Sequence, residues 1–198
     1  MNNNKNQSMF NLILFGPPGS GKGTQAVKIA EKYNFAHIST GDIFRSEIKN
    51  KTELGLKVQE VIERGELVPD ELLVAILDNA IGTYSDVDGF IFDGFPRTLR
   101  QAADFDSLLT SKSQSVSLVL ALQVDEEEVI KRLLKRAQLQ GRKDDTEDVI
   151  RNRMVVYHTQ TSPLIDLYTA QNKYEVACGS GTIDEISENL YKIIDKHF

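Results

Sequence analysis

Three observations predict an α/β fold, a five-stranded parallel sheet flanked by helices. First, five apolar or alternating segments alternate with helical patterns along the 198 residues. Second, the fourth segment, Val116-Ser117-Leu118-Val119-Leu120-Ala121-Leu122, is almost continuously apolar, as a strand covered on both faces must be. Third, a glycine-rich turn joins the first apolar run to the first helical pattern. Strands separated by helices build parallel sheets with helices packed on either side.

The strands are expected at residues 10–15, 35–38, 90–93, 116–124 and 173–177. Residues 25–33 carry the first helical pattern. The interval between Ile38 and Phe90 is too long for one crossover and carries three patterns, at 42–50, 53–64 and 70–81, the last opened by Pro69 and Asp70. The excess predicts a small helical insertion beside one edge of the site; thicker packing on the sheet is the alternative. Further helices are expected at 125–136, 146–160, from Ser162-Pro163 to 170, and 184–196. A polar link, Ala137-Gln138-Leu139-Gln140-Gly141, is expected between the first two of these.

A formal net charge of −6 argues against a nucleic-acid binder with a basic surface. Any phosphate site must therefore concentrate its positive charge locally. Cys178 is the only cysteine, which leaves no disulfide framework and no cysteine-rich zinc site, and fits a reducing cytoplasm. No apolar run approaches the roughly 20 residues that span a bilayer. Residues 1–8 lack the apolar centre of a secretory signal and read as a disordered tail.

The turn is Gly16-Pro17-Pro18-Gly19-Ser20-Gly21-Lys22-Gly23-Thr24. Glycines at this spacing let backbone N–H groups converge on a phosphate, the next helix adds its positive end, and Lys22 adds a full charge. Gly23 stands where many such loops put a magnesium-binding hydroxyl, and Thr24 comes one residue late. A ligand-free glycine turn is the bland alternative.

Phosphoryl transfer needs in-line positioning, a metal and spread positive charge more than covalent work by the protein. The arginines fall where such a site would use them. Arg45 opens the helix after Ser39-Thr40-Gly41-Asp42, Arg97 follows the third strand, and Arg132 and Arg136 share a helix face. Arg142 lies in the polar link and Arg153 on the next helix. Taken singly, each reads more readily as a solvated arginine or a surface ion pair; together, on a phosphate loop in an acidic protein, they point to a site. Asp93 ends an apolar strand, poised to hold a metal or its waters, or else to cap a helix. Asp42 offers the same choice, with the N-cap of a helix starting at Ile43 as its structural role. His37, His158 and His197 read as structural or exposed.

Gly16–Thr24, Ile38-Ser39-Thr40-Gly41-Asp42-Ile43-Phe44-Arg45, Gly65-Glu66-Leu67-Val68-Pro69-Asp70 and Asp93-Gly94-Phe95-Pro96-Arg97-Thr98 resemble the successive signatures of the adenylate kinase family. Gly141-Arg142-Lys143-Asp144-Asp145-Thr146 and Arg151-Asn152-Arg153-Met154 continue the resemblance, which runs from about Met9 to the C-terminus.

The resemblance implies a P-loop NTPase fold and reversible phosphoryl transfer from ATP to AMP, giving two ADP, with Mg2+. It implies a core of 9–38, 69–135 and 144–198, a helical NMP-binding insertion at 39–68, and a short lid at 136–143. The lid has no cysteine nearby, so no structural zinc is expected. By position, Gly19, Ser20, Gly21, Lys22, Gly23 and Thr24 would hold the ATP phosphates, with Lys22 bridging the transferring group. Arg136 would touch ATP phosphate, Arg132 the adenine, and Gly181 the same ring through its backbone. Thr40, Arg45, Glu66, Leu67, Val68, Gly94, Phe95, Pro96, Arg97 and Gln101 would bind AMP. Arg142 and Arg153 would contact phosphates across the reacting centre, and Asp93 with Asp42 would order magnesium and its waters. A monomer acting in the cytoplasm on small molecules is implied, with neither nucleic acid nor membrane as partner.

The near rival is a UMP/CMP kinase. Thr40 and the Thr98…Gln101 pair resemble AMP-specific members, whereas pyrimidine-specific relatives usually carry Ala at the first site. A guanine-nucleotide switch would share the opening loop, but its usual Asn-Lys-x-Asp segment is met here only by Asn172-Lys173-Tyr174-Glu175, which ends in Glu.

Overall fold

The computed structural model describes residues 9–142 and 145–198. The expected tail at 1–8, residue 143 at the end of the expected lid, and residue 144 lie outside the described residues.

Five strands form one wholly parallel sheet in the order β2-β3-β1-β4-β5. They are β1 (Phe10–Phe15), β2 (Phe35–Ser39), β3 (Gly89–Asp93), β4 (Leu118–Gln123) and β5 (Tyr174–Cys178). β1 is buried along its whole length, because helices cover both faces of the sheet. Its side chains alternate between two cores. Leu12 and Leu14 join Ile91, Leu120, Ile29 and Leu190 on one face. Ile13 and Phe15 join Phe92, Phe105, Leu77 and Leu164 on the other. The one polar residue in β1, Asn11, is buried, and its amide nitrogen donates to the Ser115 carbonyl at 2.9 Å.

The helices are α1 (Lys22–Tyr33), α2 (Thr40–Lys49), α3 (Glu53–Glu63), α4 (Asp70–Gly82), α5 (Leu99–Ser111), α6 (Glu126–Gln140), α7 (Glu147–Val156), α8 (Leu164–Ala170) and α9 (Ile183–Ile194). α2, α3 and α4 fill the over-long interval, and Phe44 of α2, Val58 of α3 and Leu77 of α4 reach into the Phe92 core.

Several details depart from the expected pattern, among them α1, which starts at Lys22 rather than at residue 25. α2 starts two residues early: Ser39 accepts the Asp42 N–H at 3.2 Å and is the N-cap, so that role does not fall to Asp42, and Arg45 lies inside the helix rather than at its start. The expected polar link is not a link. Ala137, Gln138, Leu139 and Gln140 are good helix formers, and α6 runs through them to a left-handed Gly141. The long helix after Thr146 becomes α7 followed by a π turn, Tyr157–Thr161.

Strand order reverses about β1: the chain first builds β2 and β3 on one side, then β4 and β5 on the other. In open parallel sheets such a switch opens a crevice at the carboxyl ends of the strands. Register sets Asp93 of β3 beside both Leu14 of β1 and Ser39 of β2. The last residue of β3 therefore stands next to the glycine-rich turn.

Phe105 of α5 anchors this arrangement from below. It is fully buried, with its ring centroid 4.7 Å from that of Phe92 and 5.3 Å from that of Phe95, which lines the crevice. Phe105→Ala is expected to cost about 3–5 kcal/mol in urea unfolding, the usual range for a buried aromatic. A loss below about 1 kcal/mol would show that the two neighbouring rings do not depend on it.

Candidate active site

The crevice is a cleft of about 820 Å³, within the usual size range of small-molecule sites. A smaller pocket opens beside it beneath α2 and α3. Every residue expected in the site lines one or both. Gly19 through Thr24, Asp42, Asp93, Phe95, Pro96, Arg132, Arg136, Arg142 and Gly181 line the large cleft. Thr40, Glu66, Val68 and Gln101 line the small pocket, while Arg45, Leu67, Gly94, Arg97 and Arg153 face both.

At one end lies the turn before α1. Its N-cap, Gly21, has φ 99° and no side chain to cap the helix, and no acidic residue occupies the first turn. Among the described α-helices only α1 lacks both devices. Its first N–H groups and dipole are left to an anion from outside. Lys22 folds back over the turn, donating to the Gly16 and Pro17 carbonyls at 2.7 and 2.8 Å. Burial lowers its pKa to about 8; Asp93 opposes that, whereas Arg97, Arg153 and Arg136 reinforce it.

Beyond Lys22 stands Asp93. Burial alone would push its carboxyl up, but His37, Lys22 and Arg97 outweigh burial and hold it below the usual carboxylate range. His37 Nε2 lies 3.6 Å from Asp93 Oδ2, outside hydrogen-bond range, and has no hydrogen-bond partner among the described residues. The alternative role for Asp93, a helix cap, is taken elsewhere: Thr98 caps α5 by accepting the Gln101 N–H.

Gly94 brings the chain round with φ 80°. A Cβ there would sit 2.9 Å from an Arg97 guanidinium nitrogen and 3.0 Å from Thr40 Oγ1, so only glycine allows the turn to close. Its carbonyl accepts from Arg97 Nε at 2.6 Å and Thr40 Oγ1 at 3.1 Å. The Arg97 carbonyl in turn accepts from Thr161 Oγ1 at 2.9 Å, within the π turn. Arg97 is thus fixed by both its side chain and its backbone.

Four further arginines of the cleft contact carboxylates. Arg136 makes a two-pronged contact with Asp145, with both bonds at 2.7 Å, and Arg153 reaches the same carboxylate at 2.9 Å. The Asp145 side chain is completely buried. Arg45 pairs with Asp42 at 2.6 Å, which keeps that carboxyl low against the opposing effect of partial burial. Arg132 spans Glu128 and the Gly179 carbonyl at 2.9 and 3.0 Å.

Two members of the site were not among the expected residues. His37 lines the cleft, although it reads from sequence as structural or exposed. The signal was its place near the carboxyl end of a parallel strand, on the same face as Ser39. Asp145 falls within the Gly141–Thr146 signature, but nothing in the sequence assigns it a role of its own.

Comparison with known proteins accords with this geometry. The family model described as Adenylate kinase matches residues 14–173. A protein named Adenylate kinase from Bacteroides thetaiotaomicron is 49% identical over 188 residues, covering 95% of this chain and 100% of the relative. Proteins of the same name from Flavobacterium psychrophilum and Porphyromonas gingivalis are 47% and 46% identical, each over more than nine-tenths of both chains. With a matching family model over most of its length and such relatives over nearly all of it, the chain belongs to the adenylate kinase family.

Proposed function

We propose that the cleft carries out reversible phosphoryl transfer from ATP to AMP, giving two ADP, with ATP on the Gly19–Thr24 turn and AMP in the pocket beneath α2 and α3. The observation that carries this reading is the convergence of cations from five elements on one cleft of an acidic protein. Lys22 comes from α1, Arg45 from α2, Arg97 from the loop after β3, Arg132 and Arg136 from α6, and Arg153 from α7. Two phosphate chains meeting end to end need such a distribution, with charge on the donor, on the acceptor and between them.

On this reading Lys22 and the start of α1 hold the donor phosphates, with Arg132 and Gly181 near the adenine. Arg45 and Arg97 hold the acceptor phosphate. Arg136, Arg142 and Arg153 lie along the line of transfer, where charge spreads over the migrating group. The attacking phosphate oxygen is already ionised at neutral pH, so the site needs no general base. Closing the cleft keeps water from competing as acceptor.

The donor set fits magnesium that arrives with the nucleotide. Asp93 and Asp42 offer two hard carboxylates, and among the described residues no group of three His, Cys, Asp or Glu is placed to hold a metal ion. Magnesium is commonly bound by one or two carboxylates together with phosphates and water. When bound, it neutralises charge on the phosphates; Asp93 and Asp42 would hold it or its waters. Among the described residues, no helix is long and apolar enough to cross a membrane. We read the protein as a cytoplasmic monomer acting on small molecules.

Initial rates with AMP, UMP, CMP and GMP as acceptors test the assignment. AMP is expected to give the highest kcat/KM, and faster turnover of UMP or CMP would overturn it. Arg97→Ala is expected to lower kcat/KM on the order of 10³-fold or more, as loss of a phosphate-clamping arginine does, with the fold retained by circular dichroism. A variant with near-normal kcat and KM would remove Arg97 from the site.

The depressed Lys22 makes a further prediction. Its ligand-free pKa of about 8 leaves the amine neutral in part at pH 8, and an adjoining phosphate raises it again. ATP binding at pH 8 should therefore take up roughly half a proton, measurable by calorimetry in buffers of different ionisation enthalpy, and affinity should fall as pH rises above 8. Lys22→Met should abolish the uptake. The same shift costs the ligand-free fold stability below about pH 8, and that cost is relieved as pH rises toward the ordinary 10.5. Proton release on binding would contradict the assignment.

A further inference from the structure

Gln101 is 2% exposed, yet it lines the acceptor pocket, and both ends of its amide are held by protein. Oε1 accepts the Arg97 backbone N–H at 2.7 Å, and Nε2 donates to Asp70 Oδ1 at 2.7 Å. A glutamine amide can ordinarily flip, exchanging donor and acceptor, and only its surroundings decide which way it points. Here they leave one choice. The backbone N–H can only donate and the Asp70 carboxylate can only accept, so a flipped amide would face donor with donor and acceptor with acceptor.

That matters for the base. The locked amide retains one N–H on Nε2 and one lone pair on Oε1. Adenine presents an acceptor at N1 beside a donor at N6, which this orientation matches. Guanine presents a donor at N1 beside an acceptor at O6, which requires the flipped amide. Breaking the lock would leave the Arg97 N–H and the half-buried Asp70 carboxylate without their amide partner, a penalty that recurs whenever a site built for one hydrogen-bond pattern meets its reverse.

We propose that Asp70 is a positioning residue for base selection: by holding Gln101 Nε2, it fixes the amide orientation that accepts adenine and rejects guanine monophosphate. Asp70 is well placed for this. It is the first residue of α4, half-buried, and carried by the helix that follows the α2–α3 pair. Its second oxygen lies 3.7 Å from Arg100 Nε, a surface contact that leaves Oδ1 to the amide. The inference rests on the reading that Gln101 faces the acceptor base.

The test compares kcat/KM for AMP and GMP, with magnesium and ATP as donor, in the full-length protein and in Asp70→Ala, Asp70→Ser, Asp70→Asn, Arg100→Ala and Gln101→Ala. Asp70→Ala should lower the AMP/GMP ratio about tenfold, within the range a well-placed hydrogen-bonded pair supplies against a wrong base. The change should fall on KM for AMP, leaving kcat and KM for ATP near wild type. Asp70→Ser keeps a side chain suited to a helix start, but its hydroxyl stops one bond short of the amide, so it should match Asp70→Ala and guards against a folding effect. Asp70→Asn still offers an acceptor oxygen and should restore most of the ratio, and Arg100→Ala should leave it unchanged. A wild-type ratio in both Asp70→Ala and Asp70→Ser, with Gln101→Ala collapsing it, overturns the role of Asp70 alone. A wild-type ratio and KM for AMP in Gln101→Ala overturns the base-side reading on which it rests, and the proposal with it.

Discussion

Repulsion among like charges is the constraint on which this structure turns. A protein of net charge −6 brings a lysine and several arginines into one cleft. Like charges so close disfavour one another, and burial disfavours each of them further. Lys22 registers both effects in a pKa lowered to about 8. The fold answers with few, well-buried counter-charges: Asp145 holds Arg136 and Arg153 together, and Asp93 faces Lys22 and Arg97. The cations are thereby kept in place without being neutralised, and the cleft stays tuned for an anion.

The sheet supplies the geometry for this balance. Because strand order reverses about β1, the turn after β1 and the loop after β3 open into the same crevice. Register places Asp93 abreast of both Leu14 and Ser39. Lys22, Asp93 and Arg97 are therefore carried at or just beyond the carboxyl ends of two adjacent buried strands, β1 and β3. The helices bring in further arginines that line the cleft, Arg45 from α2, Arg132 and Arg136 from α6 and Arg153 from α7. Sites built on strands and helices hold their geometry more closely than sites built on loops alone.

Much of this was legible in the residues. β1 falls where its apolar run predicts, and the other strands differ by two residues or less at either end. α4 begins at Asp70 as Pro69 signalled. The failures have identifiable causes. Ala137 to Gln140 looked like a link because a glycine and charged residues follow, yet nothing in those four residues stops a helix, and α6 continues to Gly141. Asp145 lies in a recognised signature, yet its role as a shared counter-charge could not be read, because its burial arises only when α6 and α7 come together. His37 was passed over because catalysis here needs no base, whereas its place beside Asp93 concerns charge. Asp42 was offered two roles, and Ser39 took one of them through a single hydrogen bond.

The carboxylates also explain how arginines can be held before a ligand arrives and still serve it. A guanidinium is a planar fork, and one edge bound to a carboxylate leaves donors on its other side. Arg136 commits Nε and one terminal nitrogen to Asp145. Arg97 commits Nε to the Gly94 carbonyl, and its backbone is fixed by Gln101 and Thr161. Side chains already confined in this way lose little rotamer freedom when phosphate binds. Donors aimed in advance at developing charge need no reorganisation at the moment of transfer, the usual source of the largest electrostatic gain in such reactions. The Arg97 residue links both parts of the cleft: its N–H donates to the Gln101 amide at the small pocket and its Nε to the Gly94 carbonyl, so on the proposed reading base selection and phosphate clamping would share one rigid turn after β3.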